Sequence, residues 1–339
     1  MARLHTLIAM AALVAACSKA PPAQDVPEAP VAWRPFTDDS PWNTPIPADA
    51  VADAESAELM EGLAGAGSLF INIDQWSIPV YYIDMSKTPT QVVYDYYPGE
   101  YGRGFEMPRE IPIPDDMAIQ KPSAGYIAIV DKTHALEWDL NTASKSDDGK
   151  WMTGFGVVSS LRGKGVYPAW NEAETPNEAA SALPSGFPLV AGLIRVEEIE
   201  SGRIPHALMI ASPTIRSDVF VRPASTARLQ RSGFTPSTTG LPLGARLQLD
   251  PAFNVEKSDL SPSGKIIARA LQTYGAFVGD QAGANVLFAE AGPEQLAEWP
   301  GLLKADELAA VFSPEMMAKH FHVIDMGEAL PAEPVPAQP

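Results

Sequence analysis

The strongest constraint in this chain is the shortness of its apolar runs. SLFINI at 68–73, SIPVYYID at 77–84 and TQVVYDYY at 90–97 are rich in β-branched and aromatic residues, and Pro79, Lys87 to Pro89 and Pro98-Gly99 interrupt them. Runs of this length and composition read as strands. DVFVRPA, ARLQLD, AFVGD and NVLFAEA continue the pattern, the last two as a hairpin pair. Helices are few. Residues 53–64 carry acidic groups in their first turns, and SPSGKIIARALQTYG at 261–275 has Ser261 as N-cap, Pro262 at the first helical position and Gly275 as a stop. Shorter helical pieces follow in PEQLAEWPGLL and DELAAVFSPEMMAKHFHVI, with His320 and His322 leading into a last short strand. Many short strands with frequent turns predict a mainly β fold: a β-sandwich or jelly-roll-like single domain with a few peripheral helices.

The clearest hairpin is GYIAIVDKTHALEWDLNT at 125–142. Its second arm alternates strictly, with Leu136, Trp138 and Leu140 on one face and Glu137, Asp139 and Asn141 on the other. Carboxylates on alternate residues of one strand stand about 6–7 Å apart at Cα, a spacing that suits a retaining glycosidase pair. The bland reading is a sheet whose second face is solvated.

A second focus is GFPLVAGLIRVEEIESGRIPHALMIASP at 186–213. It reads as an apolar segment over 189–194, a short acidic helix over 196–200, a stop at Gly202, and a strand from Ile204 to Ala211. That strand would set His206 on one face with Ile204, Leu208 and Ile210, where desolvation could tune it as a general base, with Tyr274 as a partner if the fold brings it close. A satisfied core histidine is the bland alternative. Arg195 and Glu198 flank the strand and could form a buried pair that orients His206.

The two ends speak to location. Residues 1–16 hold a lone Arg3, an apolar run and small residues before Cys17, the pattern of a secretion signal. The four residues ending at Cys17 resemble the lipobox of bacterial lipoproteins, which implies cleavage before Cys17 and lipidation there. Residues 17–32, rich in Pro and Ala, read as a tether to a domain at 33–327, and 328–339 as a disordered tail. Ser18 implies the outer membrane of a Gram-negative envelope, with membrane contact through the lipid alone. Cys17 is the only cysteine, which excludes an internal disulfide and thiol chemistry in the domain. Losing Arg3 with the signal takes the formal charge from −18 to −19, a balance that argues against nucleic acid.

PWNTPIP, the 131–140 hairpin, the 186–213 stretch and RALQTYGAFVGD together resemble a family of secreted bacterial proteins without an established activity. The resemblance spans about Pro41 to Asp280 and implies one envelope or extracellular domain. Residues 137–141 are also similar to the Glu-x-Asp-x-Glu strand of laminarinase-like jelly-roll glucanases, with Asn141 in place of the last Glu, which leaves that family's acid/base position vacant. His206 with Tyr274 resembles the proton-transfer pair of jelly-roll polysaccharide lyases.

The aromatics Trp42, Trp76, Tyr81, Tyr82, Trp151, Tyr167 and Trp170 lie at strand ends or in loops, where flat rings beside Asp, Glu and Asn could grip sugar rings or simply fill the core. Two functions follow. In one, a lipid-anchored envelope protein hydrolyses or eliminates a polysaccharide with Glu137, Asp139, His206 and Tyr274 as chemical groups and Trp42, Asn43, Tyr82, Trp151, Tyr167, Trp170 and Arg195 as binding groups. In the other, an envelope lipoprotein binds glycan or a protein partner without catalysis. Neither a phosphate loop nor GxSxG is present, His320-x-His322 lacks clustered carboxylates, and the reading calls for no metal or cofactor.

Overall fold

Strands dominate the described residues of the computed structural model, which are 33–95, 104–105, 107–172, 181–228 and 237–332. They belong to a compact unit that begins at Ala32. After helix α1 (Ser56–Gly65) come β1 (Leu69–Asn72), β2 (Val80–Tyr82), β3 (Thr90–Asp95) and β4 (Arg109–Pro112). The expected hairpin is β5 (Ile127–Asp131) with β6 (Leu136–Asn141), followed by β7 (Ser144–Lys145), β8 (Trp151–Thr153) and β9 (Phe155–Ser160). The second half holds α2 (Val196–Ser201), β10 (Leu208–Ser212), β11 (Ile215–Val221), β12 (Leu241–Leu243) and β13 (Arg246–Leu249). It closes with α3 (Pro262–Thr273), β14 (Ala276–Gln281), β15 (Asn285–Phe288), α4 (Pro293–Glu298), α5 (Pro314–His320), β16 (Phe321–Val323) and β17 (Ala329–Pro331).

These strands form a six-stranded sheet ordered β1-β15-β10-β14-β13-β16, two four-stranded sheets, β2-β5-β6-β9 and β4-β3-β8-β7, and a three-stranded sheet, β12-β11-β17. The mainly β expectation with few helices holds, and pairing within the sheets is mixed: β1 with β15, β10 with β14, and β2 with β5 run parallel. Parallel pairs need covered faces, and every residue of β5 and β10 is buried.

The hairpin β5–β6 divides two hydrophobic clusters. Ile127, Ile129, Trp138 and Leu140 pack into the smaller one with Trp151 and Phe105, while Ala128 and Val130 face the main core. Glu137 and Asp139 therefore point toward the main core, on the side that alternation alone would assign to water.

Local signals place several elements as read. Ser261 accepts from the Gly264 N–H to cap α3, and Gly202 ends α2 in a left-handed conformation (φ 80°). Four expectations change. The strand after Gly202 starts at Leu208 rather than Ile204, because the Ala207 N–H is taken by the Trp42 carbonyl and the 203–207 segment lies outside the sheet. β14 and β15 are not a hairpin, because β10 lies between them, parallel to one and antiparallel to the other. WMTGFGVVSSL at 151–161, which by composition reads as one strand, splits at Gly154 into β8 and β9, which join different sheets. The expected tail from Glu328 begins with β17, which pairs with β11; the rest of it, from 333, lies outside the described residues.

The turn at Gly192 shows how tightly 186–213 is laid down. Its φ is +70°, and a Cβ there would stand 2.5 Å from the Met209 nitrogen, so the chain crosses β10 with room for hydrogen only.

Candidate functional site

The polar face of β6 is closed by residues 181–190. Glu137 and Asp139 are fully buried. Glu137 Oε1 accepts from the Val190 N–H at 2.9 Å, and Asp139 Oδ2 accepts from the Leu189 N–H at 3.2 Å and from the Ser181 hydroxyl. The solvated face that alternation suggested is thus absent, because Ser181 and Leu189–Val190 lie over it. Glu137 Oε2 and Asp139 Oδ1 have no other partner among the described residues. Burial raises both carboxyls. The neighbouring Asp139 pushes Glu137 well up, whereas Ser181 and the backbone N–H groups of Leu189 and Ala182 favour charge on Asp139. Of the two carboxyls, Glu137 is therefore the more strongly raised.

A second network surrounds Arg195, the residue before α2. Its guanidinium is fully buried, with Nη2 donating to the Val190 carbonyl at 2.8 Å, Nη1 2.9 Å from His206 Nε2, and Nε 3.1 Å from Glu290 Oε1. His206 Nδ1 lies 2.9 Å from the Ala207 carbonyl and so carries a proton, while Nε2 sits 2.7 Å from Glu198 Oε1. Glu198 also accepts from the Arg195 N–H at 3.1 Å, which ties the network to the first turn of α2. Burial opposes the charge on Arg195, but Glu198 and Glu290 outweigh it and hold the guanidinium above its ordinary range. Glu198 lies below its ordinary value, since His206 and Arg195 outweigh its burial. Glu290 goes the other way: burial pushes it up to about 7 against the pull of Arg195.

Tyr82 covers this network from outside, donating its hydroxyl to Glu290, and its phenol is pushed well up by burial and by the Glu290 charge. The Lys132 ammonium lies 3.7 Å from the centre of the Tyr82 ring and 4.7 Å from that of Trp33. Trp33 in turn lies over the Arg195 guanidinium, 5.4 Å away.

The structure therefore joins the two sequence-predicted foci, but through one residue rather than a hollow: Val190 bonds Glu137 with its N–H and Arg195 with its carbonyl. Other candidates serve the fold. Tyr274 is buried at the end of α3 and makes no hydrogen bond to His206; its carbonyl accepts from Arg246. Trp42 is 1% exposed, donates to the Gly165 carbonyl and packs edge-on against Phe187 and Phe277. The Asn43 amide donates to the carbonyls of Pro35, Phe36 and Thr37.

Trp151 is buried in the smaller core beneath the Lys145 ammonium, and the Trp170 indole donates to the Pro331 carbonyl. Tyr167 is half-buried, with its phenol drawn up by burial and by Glu137 and Asp139. It approaches Ser159 without a well-aligned hydrogen bond. Cys17 lies outside the described residues.

Among the buried carboxyls, Glu290 and Asp280 escaped the sequence reading. Glu290 and Asp280 each sit within an apolar strand run, LFAEA and AFVGD, and that lone acid among core residues was the available signal. Asp280 accepts from the Tyr126 hydroxyl at 2.8 Å and is raised by burial to about 6. His320 and His322 diverge, one against the Phe253 ring and the other 3.0 Å from Gln248 Oε1. No group of three or more potential metal ligands gathers among the described residues. Comparison with known proteins finds no matching family model, no matching curated protein and no matching solved structure.

Proposed function

We propose that this chain is a lipid-anchored protein of the cell envelope whose domain binds its ligand without breaking it down. The observation that carries the reading is burial: Glu137, Asp139 and Arg195 are 0% exposed and His206 2%. An acid or base must come within hydrogen-bond reach of the proton it moves. Here that space is filled by Val190, Leu189, Ser181 and Ala207. The anchor rests on the lipobox ending at Cys17, and Ser18 favours the outer membrane. The acidic charge of −18 favours uncharged or cationic ligands over nucleic acid.

A second reading keeps polysaccharide hydrolysis or elimination. It is favoured by the adjacency of two buried, raised carboxyls, Glu137 and Asp139. It requires the 181–190 segment to lift away.

One assay separates the two: the full chain is incubated with a panel of polysaccharides and scored for retention, new reducing ends and unsaturated ends. Retention without product is the expected result. Product that disappears in a folded Glu137→Gln variant overturns the binding reading. A Cys17→Ala variant that stays in the membrane fraction overturns the anchor.

A further inference from the structure

We infer that a hard divalent cation, with Ca²⁺ the best match, binds on the β6–β9 face between the unpartnered oxygens of Glu137 and Asp139 and the hydroxyls of Ser159 and Tyr167. The inference goes beyond the binding reading and does not depend on whether the domain cleaves its ligand.

Both carboxyls are aimed by their neighbours. The 181–190 segment takes one oxygen of each: the Val190 N–H donates to Glu137 Oε1 at 2.9 Å, and the Leu189 N–H and the Ser181 hydroxyl donate to Asp139 Oδ2. The remaining oxygens, Glu137 Oε2 and Asp139 Oδ1, are buried and have no hydrogen-bond partner among the described residues. Ionised carboxylates only accept hydrogen bonds, so these two oxygens cannot satisfy one another. Fixing one oxygen of a carboxylate while its other is left to bind is how outer contacts orient the ligands of a metal.

The facing strand supplies an independent observation. Ser159 stands directly opposite Glu137 in the β6–β9 ladder, so its side chain lies on the face that carries both acids. It is 3% exposed, and its Oγ is buried without a partner among the described residues. The Tyr167 hydroxyl, close to Ser159 and to both carboxyls, is also buried and unpartnered. Two hydroxyls beside two carboxylates ordinarily donate to them, and here neither does. Buried polar atoms of this kind call for a water or an ion. Charge decides between the two. Arg195 is engaged with Glu198 and Glu290, and no described ion pair includes Glu137 or Asp139. Buried carboxylates are paired with a cation or coordinate a metal, and water brings no charge.

The donors then select the ion. No group of three or more His, Cys, Asp or Glu gathers among the described residues, so the hydroxyls complete an all-oxygen set. Oxygen donors suit Ca²⁺ or Mg²⁺ over Zn²⁺ and Cu²⁺. Ca²⁺ tolerates an irregular set of side chains, whereas Mg²⁺ demands near-octahedral geometry and keeps several of its waters.

The test is thermal unfolding of the detergent-solubilised full chain, stripped with EDTA and titrated with Ca²⁺, beside equilibrium dialysis against radioactive calcium. Saturating Ca²⁺ should raise the wild-type midpoint by at least about 3 °C. Glu137→Gln and Asp139→Asn should each abolish that shift and bind one ion fewer than the wild type. Ser159→Ala should raise the Ca²⁺ concentration at half effect severalfold, and Asp147→Asn, on the surface, should leave the titration unchanged. Should either acid variant fail to fold, Ser159→Ala carries the comparison. An unmoved wild-type midpoint with no calcium retained overturns the site and leaves water or protons between these groups. A shift that persists in Glu137→Gln and Asp139→Asn also overturns it, as does an equal shift from NaCl at the same ionic strength.

Discussion

Glu137 and Arg195 hold opposite ends of one residue: the Val190 N–H donates to Glu137 Oε1 at 2.9 Å, and the Val190 carbonyl accepts from Arg195 Nη2 at 2.8 Å. A buried carboxyl and a guanidinium so meet at a single residue. Each network is partly fixed by the other, and the groups most suggestive of chemistry in the sequence are also those that pin the 181–195 segment onto the hairpin.

Removing the cation should be severe. Arg195→Met leaves Glu198 and Glu290 buried without their counter-charge, and breaking a buried pair from one side costs about 3–5 kcal/mol. Arg195→Lys should not restore stability, because an ammonium cannot reach the Val190 carbonyl, His206 and Glu290 at once. Urea unfolding of the three proteins measures this; a Lys variant of wild-type stability would contradict the geometry.

The two acids of β6 should respond unequally. Glu137 is the carboxyl that burial and Asp139 raise well above its ordinary value, so Glu137→Gln, which keeps the acceptor for the Val190 N–H, should cost less than about 1 kcal/mol. Asp139→Asn removes the charge that accepts from Ser181 and the Leu189 N–H, and should cost about 1.5–3 kcal/mol. Equilibrium denaturation gives both values, and the reverse order would make Asp139 the more strongly raised carboxyl.

Glu290 makes stability depend on pH. Its carboxyl is raised from 4.5 to about 7 in the fold, so between these values the native state holds a proton that the unfolded chain has released. The contribution is fully present below pH 4.5 and is lost as pH rises through about 7. Wild-type stability should fall across that window by up to a few kcal/mol relative to Glu290→Gln, which keeps an acceptor for Tyr82. Parallel curves for the two proteins from pH 4.5 to 8 would remove Glu290 as the cause.

Two glycines in the same stretch separate backbone strain from steric conflict. Gly192 and Gly202 have φ of +70° and +80°, but a Cβ on Gly202 meets nothing within 4 Å, whereas one on Gly192 lies 2.5 Å from the Met209 nitrogen. Gly202→Ala should cost about 1 kcal/mol, the left-handed penalty alone. Gly192→Ala must also displace β10, and its thermal midpoint should drop clearly further.

Taken alone, the sequence determined what is local. The short runs cut by proline, the strict alternation of 136–141, the Ser261 cap and the Gly202 stop depend on neighbours a few residues away, and β6, α2 and α3 appear where those signals put them. Proximity of Arg195, Glu198 and His206 was legible too, since a short helix and its stop bring them together.

Tertiary structure decided which faces are wet. Alternation shows that Glu137 and Asp139 share a side of β6, but whether that side meets water depends on a segment about fifty residues later. That segment brings Leu189 and Val190 N–H groups to meet the carboxyls. The same holds for β10, which comes between two strands adjacent in sequence, and for Trp76, 54% exposed with its backbone N–H held by the distant Pro122 carbonyl. Burial is a property of what arrives from elsewhere in the chain, and periodicity carries no record of it.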